Sequence, residues 1–320
     1  MKKYAVIYFL VTVAAICLNG CKSGKKDTSE VSADSAAVDP AGINNLFLDS
    51  MSVAAFLESH REFKNQSKQL EKFYQKRKYQ FAWFNNDGLV EQSANFMNML
   101  MNLHQEGISD SSIYNPELKL LYDTITTGAY QFNGADAVSK EIELLLSSEF
   151  FKYAQQIWGG IGENQLKDLD WYIKRKQLPY VTMLDSMIAN PNFFAEQKPV
   201  YRQYDLLKDY LKNYRTIDSL TAWSPIVTDQ KAYKKGDSSL VISEIRKRLF
   251  VFGDLTTPDT VSHVFDQELE PAVKAFQRRY GLKEDGVIGA AMIAELNVPV
   301  SNRIQQIMVN MERSRWVPIQ

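Results

Sequence analysis

From Leu46 onward the apolar residues of this chain recur every three or four positions, the spacing of helices that bury one face rather than the alternation of strands. The stretch "SANFMNMLMNLHQEG" sets Phe96, Leu100 and Leu103 on one face and places Gly107 to close the helix. "SKEIELLLSSEFFKYAQQIWGG" runs Ile142, Leu145, Leu146, Glu149, Tyr153 and Ile157 along one stripe and its margin, then stops at Gly159 and Gly160. "VYRQYDLLKDYLKNYRTI" repeats the scheme with Tyr204, Leu207, Leu211 and Tyr214. Such aromatic and methionine stripes are core positions. "LEKFYQKRKYQFAWF" ends at the turn signal "NNDG". The pattern predicts a mainly α body over residues 46–235, closed where "AWSPIV" and "YKKGD" interrupt it.

A second, smaller body is predicted over 236–300. Ile245, Leu249 and Phe252 share one helix face, which Gly253 ends. Asp266 is placed to cap a helix with inner face Leu269, Val273 and Phe276, and Gly281 to supply its left-handed end. Pro271 is comfortable only in a first turn, so the regular helix is expected to begin near it. "EDGVIG" is an Asp-Gly turn and "AAMIAELN" a third short helix. A core of this size is only marginally stable alone. Residues 301–320 continue as a helix, with Ile304, Ile307, Val309 and Trp316 expected to form an open apolar face.

The first residues follow another logic. "MKKYAVIYFLVTVAAICLNGC" is a Lys-Lys start and an apolar run too short to cross a bilayer comfortably, the form of a secretory signal. Its end, "LNGC", resembles a bacterial lipobox, which implies a signal peptide over 1–21 and a lipid on Cys21. Residues 22–45, rich in Ser, Ala, Asp and Lys, read as a flexible tether. The expected address is the periplasm, on a lipid anchor, with inner or outer membrane left open. Of 2 cysteines, Cys17 lies in the leader and Cys21 carries the lipid, so no disulfide is expected.

Composition is that of an ordinary globular chain, with 45% apolar and 23% charged residues, enough for a sizeable core. A net charge of -1 is no footprint for nucleic acid. The basic runs Arg246-Lys247-Arg248 and Arg278-Arg279 are expected to be solvated helix faces. Asp168 and Asp170, two apart, point away from each other on a helix and make no glycosidase pair. His60, His104 and His263 are too scattered to suggest a metal site, and no cofactor is implied. "GGIG" after Trp158 lacks the lysine and the strand of a nucleotide loop.

The passage "AVKAFQRRYGLKEDGVIG" resembles the small three-helix peptidoglycan-binding domain of bacterial wall enzymes, through Phe276, Gln277, Gly281, Leu282, Asp285, Gly286 and Gly289. Met292 stands where that family usually has threonine. The continuation "LNVPVSNRIQQIMVNMERSRWVP" and the upstream "FYQKRKYQFAWF" and "PVYRQYDLLKDYLKNYR" resemble the large, scaffold-bearing murein L,D-transpeptidases. The resemblance implies a helical scaffold domain, a wall-binding domain and a helix leading toward a cysteine acyl-transfer domain. That family's Ser-His-Gly-Cys type motif falls beyond residue 320, so the chain is expected to bind peptidoglycan without transpeptidase activity. The alternative is the front part of a truncated or frameshifted enzyme. Candidate contacts to the wall are Arg278, Arg279, Tyr280, Lys283 and Asp285; a separate catalytic domain or an intact relative is a further expected partner.

Overall fold

The computed structural model describes residues 44–108, 113–162, 167–168, 176–196, 198–220 and 223–317. The expected signal peptide, Cys21, nearly all of the tether and Asp170 lie outside them. The described residues fall in one unit, Asp39–Gln320, with two hydrophobic cores.

The larger core is built around one helix. Helices α1 (Ser50–Ser59), α2 (Ser67–Lys76), α3 (Glu91–Met101) and α4 (Pro116–Thr126) gather around α5 (Ala137–Tyr153), with α6 (Tyr180–Ala189), α7 (Phe193–Glu196) and α8 (Gln203–Leu220) completing the body. The starts follow from side-chain oxygens that satisfy orphan backbone N–H groups. Asp49 accepts from Ser52 N, Asn115 from Glu117 N and Leu118 N ahead of Pro116, and Asp136 from Ser139 N. α5 is buried on every side from Ile142 to Phe151, not along a single stripe. A helix buried all round belongs at the centre. It runs on as a π-helical turn, Ala154–Gly159, and ends at Gly160, whose φ of 72° suits glycine. The "NNDG" turn joins β1 (Phe84–Asn85) to β2 (Gly88–Leu89), a short antiparallel pair.

Two glutamates on α5 lie wholly inside this core. Glu143 accepts from Ala82 N (2.6 Å), Trp83 N (2.9 Å) and Tyr74 Oη (2.8 Å). Ser147, one turn on, accepts from Trp83 Nε1 at 2.9 Å and shares a hydrogen bond with Tyr74 Oη at 2.7 Å. The node fixes the extended segment 80–84 against α5, and with it Phe81, Trp83 and Phe84. Glu149 differs: neither carboxylate oxygen meets a hydrogen-bond donor among the described residues, and its nearest cation is Lys152 Nζ at 3.8 Å.

The smaller core holds α9 (Leu240–Val251), α10 (Leu269–Arg279) and α11 (Ala290–Leu296). α10 starts at Leu269, earlier than expected. Asp266 Oδ1 accepts from Leu269 N at 2.9 Å, and Pro271 sits in the tolerant first turn. Gly281 has φ 67°, and Met292 packs in the core. This core also takes Ile226 and Tyr233 from before residue 235. The reason is a pair too short to see in a pattern, β3 (Ala232–Tyr233) antiparallel to β4 (Ile288–Gly289). The basic run on α9 is not a solvated face. Arg246 is buried against Asp266 Oδ2 (2.9 Å). Arg248 is buried with Nη1 on Leu296 O (2.7 Å) and its guanidinium 4.9 Å from the Trp223 ring.

The open apolar face expected beyond residue 300 is not found. α12 (Val300–Trp316) folds back along α8 and joins the larger core. Met311, Arg315 and Trp316 are buried, Ile304 and Ile307 are half-buried, and Val309 alone of the four expected residues faces out. Arg315 Nη2 donates to Tyr204 Oη at 2.8 Å and to Glu106 O at 2.6 Å, while Glu312 Oε1 accepts from Ile161 N at 2.7 Å. The partner of this helix is α8, with Arg315 meeting Tyr204 and both helices contributing to the larger core.

Removing the Glu143 carboxylate leaves buried donors unpaired. Glu143→Ala should lower unfolding free energy by about 3 kcal/mol or more in urea titration; a loss under about 1 kcal/mol contradicts the node. Burial, with the Glu62 charge adding to it, pushes the Glu149 carboxyl up to about 8, and Lys152 opposes the rise. A raised folded-state value means stability is full below the unfolded value of 4.5 and is lost as pH rises through about 8. The urea midpoint should therefore fall between pH 5 and 9, and Glu149→Gln should flatten that fall. An unchanged slope in the variant contradicts this assignment.

Candidate functional site

The turn after α10 is built by one glutamine. Gln277 is buried and holds both ends of the turn: its Nε2 donates to Asp285 Oδ1 (3.0 Å) and Val287 O (2.9 Å), and its Oε1 accepts from Gly286 N (2.9 Å). Gly286 has φ 71°, and a Cβ there would lie 2.9 Å from Lys274 Cε, so glycine suits the position twice over. The Val287 N–H bonded to Asp285 holds that carboxyl below the usual range, with Gln277 adding to it.

The five residues singled out from sequence lie around this turn but divide into two groups. Arg278 is exposed and ion-paired with Glu284; Lys283 is the most open, with Nζ 3.5 Å from Asp285 Oδ2. These three side chains face solvent. Arg279 and Tyr280 turn toward α8 instead. Tyr280 Oη lies 3.0 Å from Tyr214 Oη, and Arg279 Nη1 donates to the same tyrosine oxygen at 3.3 Å. Arg279 pairs with the nearly buried Asp254, and Arg303 of α12 lies 4.6 Å from the Tyr280 ring. These contacts form the seam between the two cores. Sequence reasoning missed Tyr214 and Asp254 as partners, since nothing local marks a contact across so many residues.

Other candidate chemistry is sparse among the described residues, which contain no cysteine. Asp168 is exposed. One histidine has company that the sequence hid. His60 Nε2 lies 3.1 Å from Glu141 and 3.5 Å from Glu117, on three separate elements, while its Nδ1 lies 3.2 Å from Phe56 O. Burial raises the Glu141 carboxyl, and the His60 charge opposes that. These three donors, all within 4.8 Å of one another, are a group able to hold a metal ion, and equally an ion pair when His60 is protonated.

Comparison with known proteins agrees with this layout. Residues 68–211 match the family model of the scaffold domain, and residues 239–296 match that of the peptidoglycan binding domain. In this order the two domains fit the N-terminal part of an L,D-transpeptidase-like protein. The chain is also similar to the N-acetylmuramoyl-L-alanine amidase CwlM of Mycobacterium tuberculosis, 41% identical over 76 residues, or 21% of this chain and 19% of that protein. The match thus spans about a fifth of that relative's length. The domain match and the wall-amidase likeness support peptidoglycan binding.

Gln277→Ala would leave the buried Gly286 N–H without its acceptor, so a stability loss of about 1–3 kcal/mol is expected. Lys283→Ala should change stability by less than about 0.5 kcal/mol. Chemical denaturation of the full chain separates the two, and equal effects contradict the role given to Gln277.

Proposed function

We propose that this chain is a cell-wall lipoprotein, anchored in the periplasm by lipid on Cys21, that grips peptidoglycan through its small three-helix domain. The observation that carries the binding part is the peptidoglycan-binding match over residues 239–296, laid on a turn that Gln277 holds and that presents Arg278, Lys283 and Asp285 to solvent. Cations beside a carboxylate suit a polymer that carries both carboxylates and amines in its peptides. Arg279 and Tyr280 serve this grip by tying the domain to the scaffold rather than by touching the wall. The anchor rests on the leader pattern and on the position of Cys21.

Co-sedimentation with purified sacculi tests the grip. The full chain should pellet with the wall, and Arg278→Glu with Lys283→Glu should cut retention about tenfold. A wild-type chain left in the supernatant overturns the reading. For the anchor, Cys21→Ser should move the chain from the membrane to the soluble fraction; unchanged membrane association counts against lipidation.

A second reading is favoured by the domain order: the chain is the front part of an L,D-transpeptidase whose full form cross-links peptidoglycan by cysteine acyl transfer. Codons for a Ser-His-Gly-Cys type motif in frame after residue 320 of the gene support it, and unrelated sequence there removes it.

A further inference from the structure

The scaffold carries a trough beside α8 that the small domain does not explain. Two cavities of about 430 and 470 Å³ open there, within the range of small-ligand sites. They abut, since Gln105 and Lys208 line both.

The two halves differ in chemistry. In the first, the part-exposed Phe194 lies over the buried Trp158, with ring centroids 4.3 Å apart and Tyr153 behind them, so Phe194 presents the aromatic surface. Asn98 and Asn102 bring amides to the rim. The charges in this half are already matched: Lys208 with Glu106, and Lys198 with Asp205 at 2.8 Å. An aromatic surface with neutral-sum donors and acceptors suits a sugar ring, whose C–H face packs on π-surface while its hydroxyls hydrogen-bond. In the second half Lys212 and Arg215 follow Lys208 along one face of α8. Arg215 donates to His104 O, and neither Lys212 nor Arg215 forms an ion pair with a carboxylate among the described residues. Asp209 is the one acid lining this half, so the cations are in excess. Such a lining recognises carboxylates.

We propose that this trough binds a glycan carrying an acidic peptide, with the sugar in the aromatic half and the peptide carboxylates against Lys212 and Arg215. The proposal rests on the peptidoglycan-binding reading for its ligand class and adds a second contact on the scaffold. Bound at both places, one chain would hold the wall at two points, which raises overall affinity without new contacts at either.

The test uses the full chain carrying Arg278→Glu and Lys283→Glu, so that the small-domain grip is weakened and residual binding reports the trough. Calorimetric titration with a soluble disaccharide–tetrapeptide and with the disaccharide alone is the measurement. Adding Lys212→Glu and Arg215→Glu should weaken disaccharide–tetrapeptide binding at least tenfold while changing disaccharide binding less than twofold. Adding Asn102→Ala should weaken both; Phe194→Ala should do so more strongly, provided its melting temperature stays near that of the parent. Binding unchanged by the trough substitutions overturns the proposal. So does loss of all binding in the Arg278→Glu, Lys283→Glu parent, an outcome that leaves the small-domain grip standing. Failure of wild-type chain to pellet with sacculi overturns both contacts, whereas retention unchanged by Arg278→Glu with Lys283→Glu but lost on adding the trough substitutions overturns the small-domain grip alone.

Discussion

One carboxylate organises the larger body. Glu143 sits in the stretch of α5 from Ile142 to Phe151 that has no solvent face, where burying an ionisable group is least costly when its oxygens are occupied. They are occupied by two successive backbone N–H groups and a phenol. Those N–H groups, of Ala82 and Trp83, lie between the bridge at Gln80 and the start of β1 at Phe84, and the carboxylate supplies their acceptors. The same node aligns Tyr74 of α2 and the Trp83 indole with Ser147. Around it Phe73, Phe81, Phe84, Phe96 and Phe151 fill the core. The directional bonds select one packing among the many that a phenylalanine-rich interior would allow.

The second constraint is the seam. A small three-helix core gains from a neighbour, and here α8 and α12 supply it. Tyr214 of α8 meets Tyr280, and Arg279 is held between Asp254 and three aromatic rings, those of Phe252, Phe276 and Tyr280. Arg303 approaches the same tyrosine from α12. At its far end α12 is fixed by Arg315 to Tyr204 and Glu106, which border the aromatic half of the trough. One pair of helices therefore links the turn held by Gln277 to the cavity on the scaffold.

Much of this was legible in the sequence, for identifiable reasons. Helix faces such as Leu269, Val273 and Phe276 are local, and glycines at left-handed positions such as Gly107, Gly253 and Gly281 mark ends whatever the tertiary context. The Asp266 cap acts three residues on, at Leu269, and Gln277 stood out through the motif it belongs to. The failures share one cause. Arg246 and Arg248 look like solvated charges because their acceptors, Asp266, Leu296 and Ser224, come from distant turns. The His60, Glu117 and Glu141 group is invisible for the same reason. α12 looked unpartnered because its complement on α8 lies far back in the chain, with Arg315 meeting Tyr204. The β3–β4 pair has two residues per strand, too few for an alternation to register.

The most direct test of the account is a hydrogen-exchange footprint of the full chain with and without soluble peptidoglycan fragments. The account places protection at two separate sites over three stretches, the turn from Gln277 to Val287 and the trough edges at Asn98–Gln105 and Lys208–Arg215, with the Glu143 node unchanged. Protection at neither site, or slowing spread evenly over the helices, contradicts it.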